Sequence, residues 1–419
     1  MLNMMTALYF ITFCMLCLFS KILYRNKINP IVIYTGIWFI CVFVYNCGII
    51  QFYPLKWETF GYIYGANIVF VLGCLLGIFF SRFSVKITGN NYKRSWESKQ
   101  NILRAIILLT SIISAFSIVP DVANSISTYG FNLLANTSDM YFNEITTSQE
   151  SALSFSAFIF VTAIYVGIYI VEYGFDKSIY FPFLMFVLFA FSKGSRGTFV
   201  IIIFLLLSQI TLPGKQRIVS KDSFKKNIKK LFKIFSVFVA IVIAITIVRR
   251  SSEDVYYGYL AFDFLSGTVI VSLLGYISSG IGCLNQFFDF PITSDHPILF
   301  FRVFYIFFNK LGISDVNTII HFPTYFTPIP GNVLTYIGEL YIDFQNFLFI
   351  VVLILATIFS YSFCKVNRED SIFYRTLYAV MFVYFVLSFF ASFLHAAGLW
   401  YALVFGIFFS FFIDYKIKL

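Results

Sequence analysis

The chain has 419 residues, of which 59% are hydrophobic and 12% are charged, and its mean hydropathy is +0.85. A soluble chain of this length could not cover its surface with so few charges, because soluble domains carry about 25% charged residues. A disordered chain would be much less hydrophobic. The composition therefore predicts an all-α polytopic membrane protein, and the formal net charge of +10 has to be divided between the two sides of a bilayer.

Eleven stretches of the sequence meet or approach the roughly 20 apolar residues that a membrane-spanning helix needs. In chain order they are 4–20, 31–51, 61–81, 103–119, 152–171, 178–192, 198–212, 234–248, 346–363, 376–394 and 398–414. They divide the chain into a membrane domain of eight spans (1–248), a large loop (249–345) and a membrane domain of three spans (346–419).

Basic residues are distributed unevenly over the segments that connect these stretches. Alternate segments, beginning with 21–30, hold 23 of the 30 Lys and Arg residues, and the other set holds 7. The positive-inside rule places the richer set in the cytoplasm. The N-terminus is then expected outside and the C-terminus inside, with a formal charge of +16 on the cytoplasmic side and −6 on the outer side.

Two of the predicted outer loops are long, 120–151 and 249–345. The second contains an apolar, uncharged stretch at 264–288, and its segment 298–320 begins with an apolar stretch, 298–306, that carries a single charge, Arg302. If only one of them crossed the membrane, the basic C-terminal segments would move outside. Either both cross, which gives thirteen spans, or both lie in the interface or re-enter the membrane. We favour interfacial or re-entrant helices.

Motifs of soluble enzymes are absent. The sequence contains no P-loop, no GxGxxG, no HExxH and no GxSxG. Cys14 and Cys17 lie three apart within the first predicted span, so we interpret them as small apolar residues, and we expect no disulfide, metal or cofactor. Gly73 and Gly77 form a GxxxG pattern, which favours close helix packing.

Four arginines lie on the outer side, against the general distribution of basic charge. Arg196 follows a glycine and a serine in a short turn between two spans, Arg249 and Arg250 end the eighth span, and Arg302 lies in an apolar stretch. Because a guanidinium pairs bidentately with phosphate oxygens, these residues could bind a lipid diphosphate. The alternative is that they contact ordinary lipid headgroups by snorkelling.

All three histidines are predicted on the outer side, where an imidazole could accept a proton near neutral pH. His321 is the favoured candidate, because the prolines and glycine that follow it fix an irregular backbone just before the ninth span. His395 precedes Ala-Ala-Gly and is expected to pack in a turn. Glu339 and Asp343 are spaced four apart, so a helix would place both carboxylates on one face. They could bind sugar hydroxyls, act as a base or pair with the arginines.

Two short motifs stand at the predicted outer face: Phe191-Ser-Lys-Gly-Ser-Arg-Gly-Thr, and the stretch from Thr327-Pro to Gly338-Glu-Leu-Tyr-Ile-Asp-Phe. Together with the order of spans and the large outer loop before the last three, these motifs resemble the Wzy-type O-antigen polymerases, which polymerise oligosaccharide repeat units in bacterial envelopes. The paired arginine-to-glycine repeats of fixed spacing that some members carry are not clearly present here.

The resemblance implies a glycosyltransferase of the bacterial inner membrane. It would transfer an undecaprenyl-diphosphate-linked glycan chain onto a lipid-linked repeat unit at the periplasmic face. Its expected partners are these lipid-linked oligosaccharides, membrane lipids and a chain-length regulator protein, with no nucleic acid. The expected site residues are Arg196, Arg249, Arg250 and Arg302 for the diphosphates, His321 or Glu339 as the base, Asp343 for sugar binding or orientation of the base, and Tyr341 for substrate binding.

Two other functions remain open at this point. An O-antigen ligase would use the same donor with a lipid A–core acceptor. A lipid-linked oligosaccharide flippase or other transporter would need charged residues along a path within the spans, whereas here charges concentrate at span ends and in the outer loop.

Overall fold

The computed structural model describes most of the chain. The residues described are 4–83, 95–130, 154–193, 196–212, 227, 229–230, 232–233, 236, 266–318, 323–327, 330–369, 371–395 and 397–415. Within these ranges the fold is helical, with one small β-hairpin.

The helices are α1 (Met4–Tyr24), α2 (Pro30–Asn46), α3 (Trp57–Phe83), α4 (Trp96–Tyr129), α5 (Phe158–Glu172), α6 (Tyr180–Lys193), α7 (Arg196–Thr211), α8 (Ser266–Phe287), α9 (Ile298–Lys310), α10 (Tyr336–Phe344), α11 (Leu348–Val366), α12 (Ile372–Val386) and α13 (Ala397–Asp414). Strands β1 (Tyr325–Phe326) and β2 (Pro330–Gly331) pair antiparallel, with Tyr325 opposite Gly331. The predicted outer loop 249–345 thus contains α8, α9, the hairpin and α10.

Within the described part of the chain, six helical stretches are long and apolar enough to cross a membrane. They are Met4–Tyr24, Trp57–Phe83, Glu97–Thr128, Phe155–Glu172, Tyr336–Val366 and Ala397–Asp414, and shorter apolar helices cover Pro30–Asn46, Lys177–Ala190, Gly197–Thr211 and Ile372–Val386. Ten of the eleven predicted spans overlap these helices, and the stretch 234–248 lies outside the described residues except for residue 236. The prediction of an all-α membrane protein is confirmed.

Two predicted boundaries differ from the structure. Helix α4 continues through Pro120 to Tyr129, into the expected loop 120–151. A proline removes one backbone donor and contacts the preceding turn, and membrane helices tolerate this where neighbouring groups satisfy the backbone. The predicted span 376–394 is helical only to Val386. Beyond it the backbone bonds to other elements, because the carbonyl of Ser388 accepts a hydrogen bond from the Tyr336 N–H at 2.9 Å.

The described chain divides into two compact units. The first comprises 1–84, 265–368 and 381–396, and the second comprises 85–264, 369–380 and 397–419. The first unit therefore holds α1–α3 and α8–α11, and the second holds α4–α7 and α13, while α12 begins in the second and ends in the first.

In the first unit, the GxxxG pattern of α3 packs closely against α11. A Cβ added at Gly73 would lie 2.6 Å from the carbonyl oxygen of Leu353, and one at Gly77 would lie 2.7 Å from the Cβ of Ser360. Real Cβ atoms do not approach this closely, so both positions require glycine. The Ser360 hydroxyl also donates to the carbonyl of Cys74 at 2.7 Å, which ties the two helices together.

In the second unit, buried ion pairs join the start of one helix to the end of another. The ammonium of Lys99 lies 2.8 Å from Asp414, and the side chains of both residues are almost fully buried, at 0% and 2% exposure. The guanidinium of Arg375 lies 2.7 Å from the buried carboxylate of Glu172. These basic residues were assigned to orientation by the charge rule, and here they also hold the fold together.

A third pair, Arg104–Asp176, is more exposed, with 2.6 Å between the guanidinium and the carboxylate. Partial burial acts to raise the pKa of Asp176. Hydrogen bonds from Ser178, Tyr169 and Arg104 outweigh it and hold the pKa below its ordinary value.

Candidate functional site

Helix α10 carries both carboxylates that the sequence placed on one face. Its buried side chains include Tyr336, Ile337 and Leu340, spaced so that one face packs into the protein. The helix ends at Phe344 and is followed by Gln345 as the C-cap, where φ is 49°. The predicted helix is confirmed, and Glu339 lies in its first turn, where a negative charge is favourable.

Glu339 forms a buried pair with His395. The Oε2 atom of Glu339 accepts the backbone N–H of Ser392 at 3.0 Å and lies 3.2 Å from Nδ1 of His395. The Glu339 side chain is 3% exposed and that of His395 is 26% exposed. In the tautomer in which Nδ1 donates to the Glu339 carboxylate, Nε2 of His395 is an acceptor. The arrangement orients an accessible imidazole by means of a buried carboxylate.

The irregular segment 387–395 brings His395 to Glu339. The segment is anchored by Ser388, whose carbonyl accepts from the first residue of α10. It also packs closely on α8, because a Cβ at Gly280 would lie 2.5 Å from the carbonyl oxygen of Phe389. Phe393 has a φ of 51°, and its ring stacks on the His395 ring with 6.2 Å between the centroids. These contacts fix the position of the imidazole.

Asp343 caps the N-terminus of α9. Its Oδ1 accepts the Leu299 N–H at 3.1 Å and its Oδ2 accepts the Phe300 N–H at 2.6 Å. Such caps satisfy backbone donors that have no partner within the helix. Because both oxygens are occupied in this way, Asp343 positions α9 relative to α10. Among the residues described, it makes no ion pair with an arginine.

Arg302 lies on α9, one residue after a kink at Phe301, whose φ and ψ of −108° and 19° are not helical. Its Nε donates to the carbonyl of Thr318 at 3.2 Å. The side chain is half-buried, and no carboxylate in the described part of the chain lies within ion-pair distance of it. The Nη groups of Arg302 therefore remain available to a ligand.

Tyr341, which was predicted to bind substrate, packs in an aromatic cluster. Its ring makes edge-to-face contacts with Tyr62, Phe287 and Phe288, with centroids 5.5 to 5.7 Å apart. It lies two residues from Glu339 and thus on a different side of α10. These contacts join α10 to α3 and α8.

The remaining predicted residues have no described side-chain geometry. Arg249, Arg250 and His321 lie outside the described residues, and Arg196 is the first residue of α7, with its side chain outside the description. His395 had been expected only to pack in a turn. Its pairing with a carboxylate 56 residues earlier in the chain had no local signal in the sequence.

One cavity in the first unit, of about 180 Å³, lies between α1, α2 and α3. Its lining includes Tyr9, Phe13, Asn67 and Val71 and contains none of the predicted site residues. Among the described residues, no group of three or more His, Cys, Asp or Glu side chains could hold a metal ion.

Comparisons with known proteins give no match: no family model, curated protein or solved structure is similar to this chain. The class of the protein, an all-α membrane protein, follows from its apolar helices.

Proposed function

We propose that this protein is a membrane glycosyltransferase that polymerises lipid-linked oligosaccharides, as an O-antigen polymerase does. The substrate class comes from the resemblance of its span order and local motifs to those polymerases. The observation that carries the proposal is the Glu339–His395 pair, in which a buried carboxylate orients a partly exposed imidazole. Such a pair is suited to general base catalysis on a hydroxyl group.

In this mechanism His395 is the base. A sugar hydroxyl of the lipid-linked repeat unit attacks the anomeric carbon of the glycan chain, and its proton passes to Nε2 of His395. The bond between the anomeric carbon and the diphosphate oxygen breaks, and undecaprenyl diphosphate leaves with the electron pair. Glu339 holds the imidazole in the required tautomer and stabilises the imidazolium that forms.

The leaving group needs positive charge near its diphosphate. Arg302 is the described candidate, since its Nη groups have no carboxylate partner in the described part of the chain. Asp343 caps the helix that carries Arg302 and lies one turn after Glu339, so it would fix the base and the cation relative to each other. Arg196, Arg249 and Arg250 are further candidates on the resemblance alone. The site would face the periplasm.

A deletion strain tests this function. A polymerase deletion should leave lipid A–core capped by single repeat units, whereas loss of all glycan from lipid A would indicate a ligase. Accumulation of lipid-linked repeats on the cytoplasmic face would indicate a flippase. Complementation with Glu339→Gln should restore much less polymer than the wild type. Glu58→Gln is the matched control, because Glu58 is an exposed carboxylate in the first turn of α3 and should restore it fully.

A further inference from the structure

Two segments of the second unit form one basic surface. The first is the turn at 173–177, between α5 and α6, and the second is the stretch 227–236, whose described residues are helical. The lysines of both segments whose side chains are described are all exposed to the surroundings. We call these four residues the lysine patch: Lys177, Lys229, Lys230 and Lys233.

Two contacts bring these segments together. The Nζ atom of Lys230 lies over the ring of Phe175, 5.8 Å from its centroid, a distance at which an aromatic ring attracts a cation. The amide of Asn227 lies close to Gly174, since a Cβ added to that glycine would be 3.0 Å from the Nδ2 atom. Gly174 also has a φ of 93°, which residues with a side chain rarely adopt. Lysines from two distant parts of the sequence therefore share one surface.

The acidic residues near the turn do not compensate the charge of the lysine patch. Asp176 is paired with Arg104, and Glu172, at the end of α5, is paired with Arg375. None of the four lysines forms an ion pair with a described carboxylate. The sequence 213–233, which contains three of them, holds eight Lys or Arg residues and one acidic residue, Asp222. The patch thus presents positive charge to an anionic partner.

Two exposed aromatic side chains accompany the lysines. Tyr180 begins α6 and is 71% exposed, and Phe232 lies between two of the lysines and is 51% exposed. Exposed tyrosines are typical of the headgroup level of a membrane, and an exposed phenylalanine beside lysines can insert below the headgroups. The patch also directly precedes the predicted span 234–248, on the face that the charge distribution predicts to be cytoplasmic. Clusters of basic residues at such a position attract anionic lipids.

We infer that the lysine patch binds the headgroup of an anionic phospholipid in the leaflet that it faces. The ammonium groups pair with the phosphate oxygens, and the exposed rings of Tyr180 and Phe232 contact the lipid below the headgroup. A lipid is favoured over an acidic protein segment, because exposed aromatic residues and an adjacent predicted span are features of a membrane surface. The inference does not depend on the proposed transfer reaction, whose residues Glu339 and His395 belong to the first unit.

Lipid titration of the full-length protein in a non-ionic detergent tests the inference. Native mass spectrometry during titration with phosphatidylglycerol gives the dissociation constant of the first bound lipid. This constant should rise about thirtyfold or more in a variant that loses three charges of the patch: Lys229→Gln, Lys230→Gln and Lys233→Gln. It should change little in a control that loses three exposed charges at the end of α1: Lys21→Gln, Arg25→Gln and Lys27→Gln. Equal rises in both, or no rise in the first, would overturn the inference.

A single substitution tests whether both segments belong to the patch. Lys177 lies in the turn that contacts 227–236 through Gly174 and Phe175. Lys177→Gln should therefore raise the dissociation constant for phosphatidylglycerol about threefold or more, whereas Lys27→Gln should not. An unchanged constant in Lys177→Gln would show that the basic run binds without the turn, and the patch would be wrong.

Three further probes identify what the patch recognises. Phosphatidylcholine should bind the wild type and the triple patch variant equally, because its headgroup has no net charge. An equal loss of both lipids would contradict recognition by charge. Inorganic phosphate that displaces phosphatidylglycerol would indicate a site for the free anion, and displacement by polyglutamate at the same charge concentration would indicate a site for an acidic protein segment. Either displacement would overturn the assignment to a lipid headgroup.

Discussion

The buried Lys99–Asp414 pair should be among the most sensitive points of the second unit. Removing one member of a buried pair leaves an uncompensated charge, which costs about 3–5 kcal/mol. In Lys99→Met, Asp414 keeps three other donors: the hydroxyl of Ser371 and the N–H groups of Ile372 and Phe373. We therefore expect Lys99→Met to lower the free energy of unfolding by about 3 kcal/mol, near the lower end of that range.

Asp414→Ala should cost more. The substitution leaves the ammonium of Lys99, which is 0% exposed, without the Asp414 carboxylate. It also removes the N-terminal cap of α12, and this loss costs about 1 kcal/mol more. The free energy of unfolding, measured by equilibrium unfolding in mixed micelles, should therefore fall further than in Lys99→Met. Arg104→Met, at a more exposed pair, is the control and should cost about 1 kcal/mol or less. If Asp414→Ala costs no more than Lys99→Met, the capping argument is refuted.

Three further predictions concern packing, capping and pH. Gly77→Leu should prevent the α3–α11 approach and abolish folded protein on gel filtration, whereas Gly61→Leu, on the same helix with nothing within 4 Å of the added Cβ, should not. Asp343→Ala should cost about 1–2 kcal/mol and increase hydrogen exchange in 298–310; unchanged exchange would contradict the cap. The pKa of Asp176 is lowered in the fold, so its stabilisation is present above the unfolded pKa and is lost as pH falls through the folded pKa. If the melting temperature of Asp176→Asn falls as much as that of the wild type when the pH is lowered through that acidic range, Asp176 makes no such contribution.

The sequence predicted the class of fold because composition and the length of apolar stretches depend only on local residues. It did not predict that α4 continues through Pro120, because a proline within a helical pattern ordinarily indicates the end of the helix. Gly73 and Gly77 predicted close helix packing, but the partner α11 begins more than 270 residues later. Such partners follow from tertiary structure.

The candidate site was predicted in part. The four-residue spacing of Glu339 and Asp343 placed them correctly on one helix. The hydrogen bonds that define their roles are made to distant backbone N–H groups and to His395, which lie 43 to 56 residues away in the sequence. The sequence favours His321, because prolines and a glycine follow it directly. The position of His395 depends on the irregular segment 387–395, which the sequence shows only as part of an apolar stretch.

The most direct test of the proposed function is the lipopolysaccharide ladder of a deletion strain complemented with His395→Ala. The proposal predicts that this variant, present in the membrane at normal amounts, gives single repeats and no ladder. His296→Ala, at an exposed histidine of the same unit, should restore the full ladder. A normal ladder from His395→Ala would show that the Glu339–His395 pair is not the base.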